Sequence, residues 1–137
     1  MGTRSRIGVM HGDKLKSVYC HWDGYPSHNG KMLVEHYNTH EKAQALIALG
    51  SLSSLQERIE PSGEPNFNKP EDGVTIAYHR DRGEEFSQQT HKSVPDFFKG
   101  DIEEFGYLFT QEGEWLVAAA RGSFTKPMRV TDALELI

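Results

Sequence analysis

Polar and apolar residues alternate with a period of two at the start of the chain. In residues 4–10, Ser5, Ile7 and Val9 fall on one face of a strand, and residues 15–22 alternate similarly. The four residues between the two segments, HGDK, have the composition of a turn. This pattern predicts an antiparallel hairpin in which Arg4–Met10 pairs with Leu15–Trp22.

A second hairpin is predicted near the other end of the chain. Aromatic residues alternate in residues 105–110, apolar residues alternate in residues 115–120, and the turn segment QEGE separates them. We therefore expect Phe105–Thr110 to pair with Trp115–Ala120. Residues 74–79, VTIAYH, read as one further strand.

From Lys31 the spacing of apolar residues becomes helical. Leu33 and Tyr37 lie four apart, and the next apolar group follows the helical spacing i, i+3, i+4 and i+7 (Ala43, Leu46, Ile47, Gly50). The pattern predicts two helices or one bent helix, the second capped by Asn38 or Thr39.

Three shorter helices are predicted from their first residues. Ser53 with Gln56 resembles a capping box, Pro95 suits the first position of a helix, and Thr131 could cap a last helix that runs to Ile137.

These elements predict an α+β fold in one domain, residues 1–137. We expect an antiparallel or mixed sheet built from two hairpins plus a further strand, with helices packed mainly on one face, because strands and helices do not alternate regularly. Leu46, Ile47 and Trp115 are predicted to be largely buried. The other core candidates are Ile7, Val9, Leu33, Phe97, Phe98, Phe105 and Phe109.

The net charge of −5 is unevenly distributed along the chain. Residues 1–42 carry six Lys/Arg against four Asp/Glu, hence +2, whereas residues 43–137 carry nine against sixteen, hence −7. An acidic chain without a run of Lys/Arg is poorly suited to duplex nucleic acid, whose binding depends on neutralising phosphates. Neither a membrane-spanning segment nor a secretory signal is recognisable, and a single cysteine, Cys20, fits a reducing cytoplasm.

The densest group of reactive and aromatic side chains is YCHWDGYP, residues 19–26. Cys20 and His21 should point to opposite faces of their strand, so they do not form a nucleophile and base pair with each other. Trp22 and Tyr25 either pack a turn or form a surface for a partner or a base-like ligand.

Charged side chains suggest further binding residues. Arg80 and Arg82 follow a predicted strand; they either lie in a solvated loop or grip a phosphate or carboxylate. His36 and His40 are four apart, but a third ligand is missing, so no metal and no cofactor are expected. The predicted binding residues are Arg4, Arg6, His21, Trp22, Asp23, Tyr25, Arg80 and Arg82, and no catalytic residue is predicted.

Several motifs together resemble a known group of proteins. They are Thr3-Arg4-Ser5-x-Ile7-Gly8, the string VYCHWDGYP at residues 18–26, Gly30, His36-Tyr37, the region Arg80–Glu84 and the aromatic hairpin ending in Trp115. This combination resembles small, mostly uncharacterised accessory proteins of tailed bacteriophages. The resemblance implies a protein made in the cytoplasm of a bacterial host, and it implies no reaction.

Three functions remain open on these grounds. The first is a non-catalytic phage accessory protein that binds and inhibits or redirects a bacterial host component, such as one used in antiviral defence. The second is a sponge for an anionic, nucleotide-like small molecule. The third is a hydrolase with Thr3 or Ser5 as an N-terminal nucleophile, which would require trimming beyond Met1 and Gly2. A homo-oligomer is compatible with each of them.

Overall fold

The computed structural model describes residues 3–60, 72–99, 104–119 and 126–135. Within them the fold is α+β, with one open mixed sheet of eight strands. The strands are β1 (Ser5–His11), β2 (Lys14–Cys20), β3 (Leu52–Ser54), β4 (Ile76–Ala77), β5 (Gln89–His91), β6 (Phe105–Phe109), β7 (Trp115–Ala119) and β8 (Met128–Arg129). The helices are a π-helical turn (Pro26–Gly30), α1 (Lys31–His36), α2 (His40–Ile47), α3 (Tyr78–Arg82), α4 (Val94–Lys99) and α5 (Val130–Glu135).

The strand order is β4-β3-β2-β1-β6-β7-β8, and β5 also pairs with β2. Both predicted hairpins are confirmed: β1 pairs antiparallel with β2, and β6 with β7, within one or two residues of the predicted bounds. Two parallel pairings, β1 with β6 and β2 with β3, join segments that are distant in sequence. As a result, β1 lies between the two hairpins.

One face of the sheet, the main-core face, is covered by three helices. Ile7 and Val9 of β1 lie on it, together with Tyr107 and Phe109 of the neighbouring β6. Leu33 of α1, Leu46 and Ile47 of α2, and Val130 and Ala133 of α5 pack against it. Leu46, Ile47 and Trp115 are buried, as predicted.

The opposite face, the α4 face, carries a smaller apolar cluster. Phe97 of α4 packs there on Leu15 and Leu108. Phe97 also approaches Gly8 so closely that a Cβ at Gly8 would lie 3.0 Å from the Phe97 Cε1 atom. The absence of a side chain at Gly8 therefore allows Phe97 of α4 to pack directly against β1.

The helical region after Lys31 consists of two helices. Thr39 precedes α2, and its Oγ1 accepts a hydrogen bond from the Lys42 N–H at 3.1 Å, as expected of an N-cap. Gly50, with φ of +81°, ends the segment in the left-handed region that favours glycine. No helix of the described residues is long and apolar enough to cross a membrane.

Three local predictions are wrong. Ser53 does not open a helix, because Leu52–Ser54 is strand β3. Only Ile76 and Ala77 of the segment VTIAYH are a strand, and α3 begins at Tyr78. Thr131 lies inside α5, which starts one residue earlier.

Candidate functional site

The loop between β2 and α1 folds back onto the start of β1. The Gly24 N–H donates to the Thr3 carbonyl at 2.7 Å, and the Asn29 N–H donates to the carbonyls of Asp23 at 3.3 Å and Tyr25 at 3.1 Å. Asp23 adopts a φ of +56°, a left-handed conformation that Asp tolerates better than most residues. The loop therefore has a defined backbone conformation with its own hydrogen bonds.

Asn29 anchors the loop from inside the protein. Its side chain is buried, and its Nδ2 donates to the Ser5 hydroxyl at 3.2 Å, the Trp22 carbonyl at 3.4 Å and the Cys20 sulfur at 3.5 Å. These contacts link the end of β2, the start of β1 and the π-helical turn. Because the Asn29 side chain is buried, water would not replace one of these contacts if it were lost.

Gly24 and Tyr107 form a second anchor. The Tyr107 hydroxyl, which is buried in β6, donates to the Gly24 carbonyl at 2.6 Å. A Cβ at Gly24 would lie 2.9 Å from both the carbonyl carbon and the oxygen of Arg4. The loop thus packs against backbone atoms that cannot move aside as a side chain could.

Trp22 and Tyr25 are exposed on this anchored loop. Their relative exposures are 43% and 39%, so a substantial part of each side chain is open to solvent. The His21 ring meets the Trp22 ring edge to face at 4.7 Å between centroids, and the Tyr25 hydroxyl donates to Asp23 Oδ1 at 3.0 Å. This hydrogen bond and the charge of Asp23 raise the pKa of Tyr25 above its usual value. We call Trp22, Asp23 and Tyr25 the Trp22–Tyr25 surface.

Arg4 lies beside the Trp22–Tyr25 surface. Arg4 is exposed, while its backbone is held by the segment that begins β6: its N–H donates to Glu104 Oε2 at 2.7 Å, and its carbonyl accepts from the N–H groups of Glu104 and Phe105. The Arg4 backbone therefore lies between Gly24 of the loop and the segment that begins β6, with the Glu104 carboxylate beside it.

Arg6 lies on the α4 face in a buried polar cluster. It is 8% exposed, and its Nη1 donates to the Ser17 hydroxyl at 3.0 Å. The same hydroxyl is 2.6 Å from Nε2 of His91 on β5. Burial lowers the pKa of His91, Arg6 lowers it further, and Asp96 opposes the shift. A neutral imidazole fits this arrangement, with the Ser17 O–H donating to Nε2 while its oxygen accepts from Arg6.

A serine within hydrogen-bond reach of a histidine is also the geometry of an activated nucleophile. Here, however, Ser17 is 0% exposed, so a substrate has no access to its oxygen. The cluster is therefore best explained as the link between β5 and the centre of the sheet. The sequence prediction named Arg6 but missed Ser17 and His91, which are 74 residues apart and are joined only by tertiary structure.

His21 directly follows β2, and its Nδ1 is 2.7 Å from the hydroxyl of Tyr19 in that strand. Cys20, by contrast, is buried among the apolar residues of the main-core face. Burial raises the pKa of the Cys20 thiol to about 12, although hydrogen bonds with Asn29 and the Trp22 backbone oppose the shift. A buried thiol with this pKa is not a nucleophile at neutral pH.

Arg80 and Arg82 belong to α3 rather than to the loop. Arg80 donates to Asp81 at 2.9 Å, to the Thr75 carbonyl at 2.7 Å and to the Ile59 carbonyl, so its guanidinium joins segments of the fold. Arg82 is exposed, and its Nε lies 3.2 Å from Glu84 Oε2. The structure thus shows contacts within the protein for both guanidinium groups, and the Arg82 side chain remains exposed.

His36 and His40 lie in different helices, α1 and α2. In the parts of the chain that the structure describes, no group of three or more His, Cys, Asp or Glu side chains is arranged to hold a metal ion. Comparisons with protein-family models, with curated proteins and with solved structures each found no match.

Proposed function

We propose that this chain is a non-catalytic binding protein that docks on a protein of a bacterial host through the Trp22–Tyr25 surface. The observation that carries this proposal is the combination of exposed aromatic side chains with an anchored backbone. Trp22 and Tyr25 are 43% and 39% exposed, yet Asn29 and Tyr107 fix the loop that presents them.

This combination favours binding energetically. Trp and Tyr are enriched among the residues that dominate protein interfaces, because each buries a large apolar area and loses few rotatable bonds. A loop that already has its bound conformation avoids the entropy cost of ordering on association. Exposing a tryptophan to water has no benefit for the stability of the free chain.

The charges around this surface favour a protein partner over an anionic nucleotide. The Asp23 carboxylate accepts a hydrogen bond from the Tyr25 hydroxyl, and the Glu104 carboxylate accepts one from the backbone N–H of Arg4. A phosphate would be repelled by both carboxylates, whereas a protein surface can supply a matching cation.

The buried positions of Ser5, Ser17 and Cys20 support a non-catalytic role, because a substrate has no access to these hydroxyl and thiol groups. The resemblance to small phage proteins supports a bacterial partner, and a component of antiviral defence fits that context. On this proposal the protein acts by occupying the surface of its partner, which it thereby inhibits or redirects.

The proposal is tested by quantitative affinity capture from a bacterial lysate. Wild-type protein, the Trp22→Ala variant and the Tyr25→Ala variant serve as baits, and retained proteins are quantified by mass spectrometry. Phe86→Ala is the matched control, because Phe86 is also an exposed aromatic residue, at 45%, and lies outside the Trp22–Tyr25 surface.

We expect one host protein to be retained by the wild type and by Phe86→Ala but depleted with the two loop variants. With the purified partner, Trp22→Ala should raise Kd about 30-fold, corresponding to about 2 kcal/mol, in isothermal titration calorimetry. Its free energy of unfolding should change by less than about 1 kcal/mol, as for other exposed positions. The proposal is wrong if no protein is retained better by the wild type than by Trp22→Ala, or if the purified partner binds both equally.

A further inference from the structure

A cavity of about 330 Å³ opens on the main-core face, at the opposite end of the β1–β2 hairpin from the Trp22–Tyr25 surface. It lies between the turn end of the β1–β2 hairpin and the end of α2. Its apolar lining includes Val9 and Ile47, and its polar lining includes Lys14, Lys16, Gln44 and Gln88. Cavities of this volume are within the range that small molecules occupy in proteins.

The phase of the strands puts lysines where core residues would be expected. Lys16 pairs with Val9 across the hairpin, and Lys14 pairs with His11, so both lysines are on the side of the sheet that carries the main core. Helix α2 ends at Ile47 and does not extend over them. The cavity therefore places the ammonium groups of Lys14 and Lys16 beside the apolar side chains of Val9 and Ile47.

These ammonium groups are available to a ligand. Neither Lys14 nor Lys16 forms a salt bridge with any carboxylate of the described residues, although the chain as a whole has a net charge of −5. The segment before β5, which contributes Gln88 to the cavity wall, is fixed to the end of α2: the Gln88 Nε2 donates to the Ile47 carbonyl at 3.0 Å. The cavity wall is thus preformed, and its strand side is positive.

We propose that this cavity binds a small anionic molecule with a phosphate or carboxylate head and an apolar body of several carbon atoms. The head lies against Lys14 and Lys16, because the ammonium groups can form charge-assisted hydrogen bonds with it. The C-terminal end of α2 carries a partial negative charge and repels the head from the helix side. Val9 and Ile47 contact the apolar body. The site does not depend on the proposed protein partner.

The test uses hexyl phosphate as the probe in an NMR titration of the ¹⁵N-labelled protein. We expect saturable shifts at the backbone amides of Lys14, Lys16, Ala48 and Gln88. Inorganic phosphate lacks the apolar hexyl chain, and hexan-1-ol lacks the charged head. Each should therefore bind at least about tenfold more weakly than hexyl phosphate. Comparison with hexanoate identifies whether the preferred head is phosphate or carboxylate.

Two variants and a control connect the binding to this cavity. The double variant Lys14→Gln/Lys16→Gln should raise the Kd for hexyl phosphate at least about tenfold. The control variant Lys31→Gln/Lys126→Gln removes two exposed lysines elsewhere and should leave this Kd unchanged. Ala48→Trp should block the cavity without changing its charge. The proposal is overturned if hexan-1-ol binds as tightly as hexyl phosphate, if the shifts map to another surface, if binding does not saturate, or if the double variant binds like the wild type.

Discussion

Replacing Tyr107 with Phe tests whether the loop that carries Trp22 and Tyr25 is anchored as the structure indicates. The substitution removes a single oxygen atom and keeps the ring in the core. That oxygen donates to the Gly24 carbonyl at 2.6 Å, within the usual range of O–H···O bonds. Burial keeps the pKa of Tyr107 well above its ordinary value, so the donor remains protonated at any physiological pH.

The expected cost follows from the burial of both partners. Tyr107 is fully buried and Gly24 is buried, so water cannot replace the lost donor. A buried carbonyl left without its partner costs about 1–3 kcal/mol, more than the net value of an average hydrogen bond. We therefore expect Tyr107→Phe to lower the free energy of unfolding by about 1–3 kcal/mol in urea denaturation at neutral pH.

Tyr25→Phe provides a matched control. It also removes a tyrosine hydroxyl that donates a hydrogen bond, here to Asp23 at 3.0 Å, but at an exposed position. Tyr25→Phe should lower the free energy of unfolding by less than about 0.5 kcal/mol, because water can form hydrogen bonds with the exposed Asp23 carboxylate in place of the lost hydroxyl. If Tyr107→Phe costs no more than Tyr25→Phe, the loop is not held by the Gly24 carbonyl, and the argument for a preorganised binding surface fails.

Two further predictions concern the core. Leu46→Ala should cost about 2–5 kcal/mol in urea denaturation, because Leu46 is fully buried where α2 meets the sheet; a loss below about 1 kcal/mol would show that α2 does not pack there. Cys20 has a folded-state pKa of about 12 against an ordinary value of 9.0, so its neutral thiol contributes stability that is complete below pH 9.0 and is lost as pH rises toward about 12. Urea denaturation across that window should show a shallower pH dependence for Cys20→Ala than for the wild type; equal slopes would mean that Cys20 is not buried.

The hairpins and the second helix could be predicted because their signals are local. Period-two alternation around a short turn defines β1 with β2 and β6 with β7, and Thr39 supplies the cap of α2. The parallel pairing of β1 with β6 has no such signal, because nothing near residue 5 indicates that residue 105 lies beside it.

The errors arise where tertiary contacts outweigh local preference. Leu52 and Ser53 accept hydrogen bonds from the His21 and Trp22 N–H groups, and this pairing makes a strand of a segment with a helix-capping pattern. A second error is the strand predicted over VTIAYH, where the Asp81 carboxylate accepts from the Ala77 N–H at 2.7 Å and supports a helix directly after β4.

The candidate site was predictable in composition but not in geometry. The aromatic residues of the loop were apparent from the sequence, whereas their exposure depends on Asn29 and Tyr107, whose roles appear only after folding. The burial of Arg6 similarly depends on its contact with Ser17 and, through Ser17, on His91. His91 belongs to a short strand, β5, whose sequence shows no alternation of polar and apolar residues.

The central position of β1 has a consequence for the synthesis of this protein. One edge of β1 is completed by β2 as soon as the first hairpin forms, but the other edge waits for β6. At ordinary translation rates of about 5–20 residues per second, that wait is on the order of 5–20 seconds. Throughout this interval the nascent chain exposes a row of backbone groups without a strand partner beside Ile7 and Val9, an edge that is prone to aggregation. Ribosome-associated chaperones would therefore bind this protein early, and slower translation would increase its dependence on them.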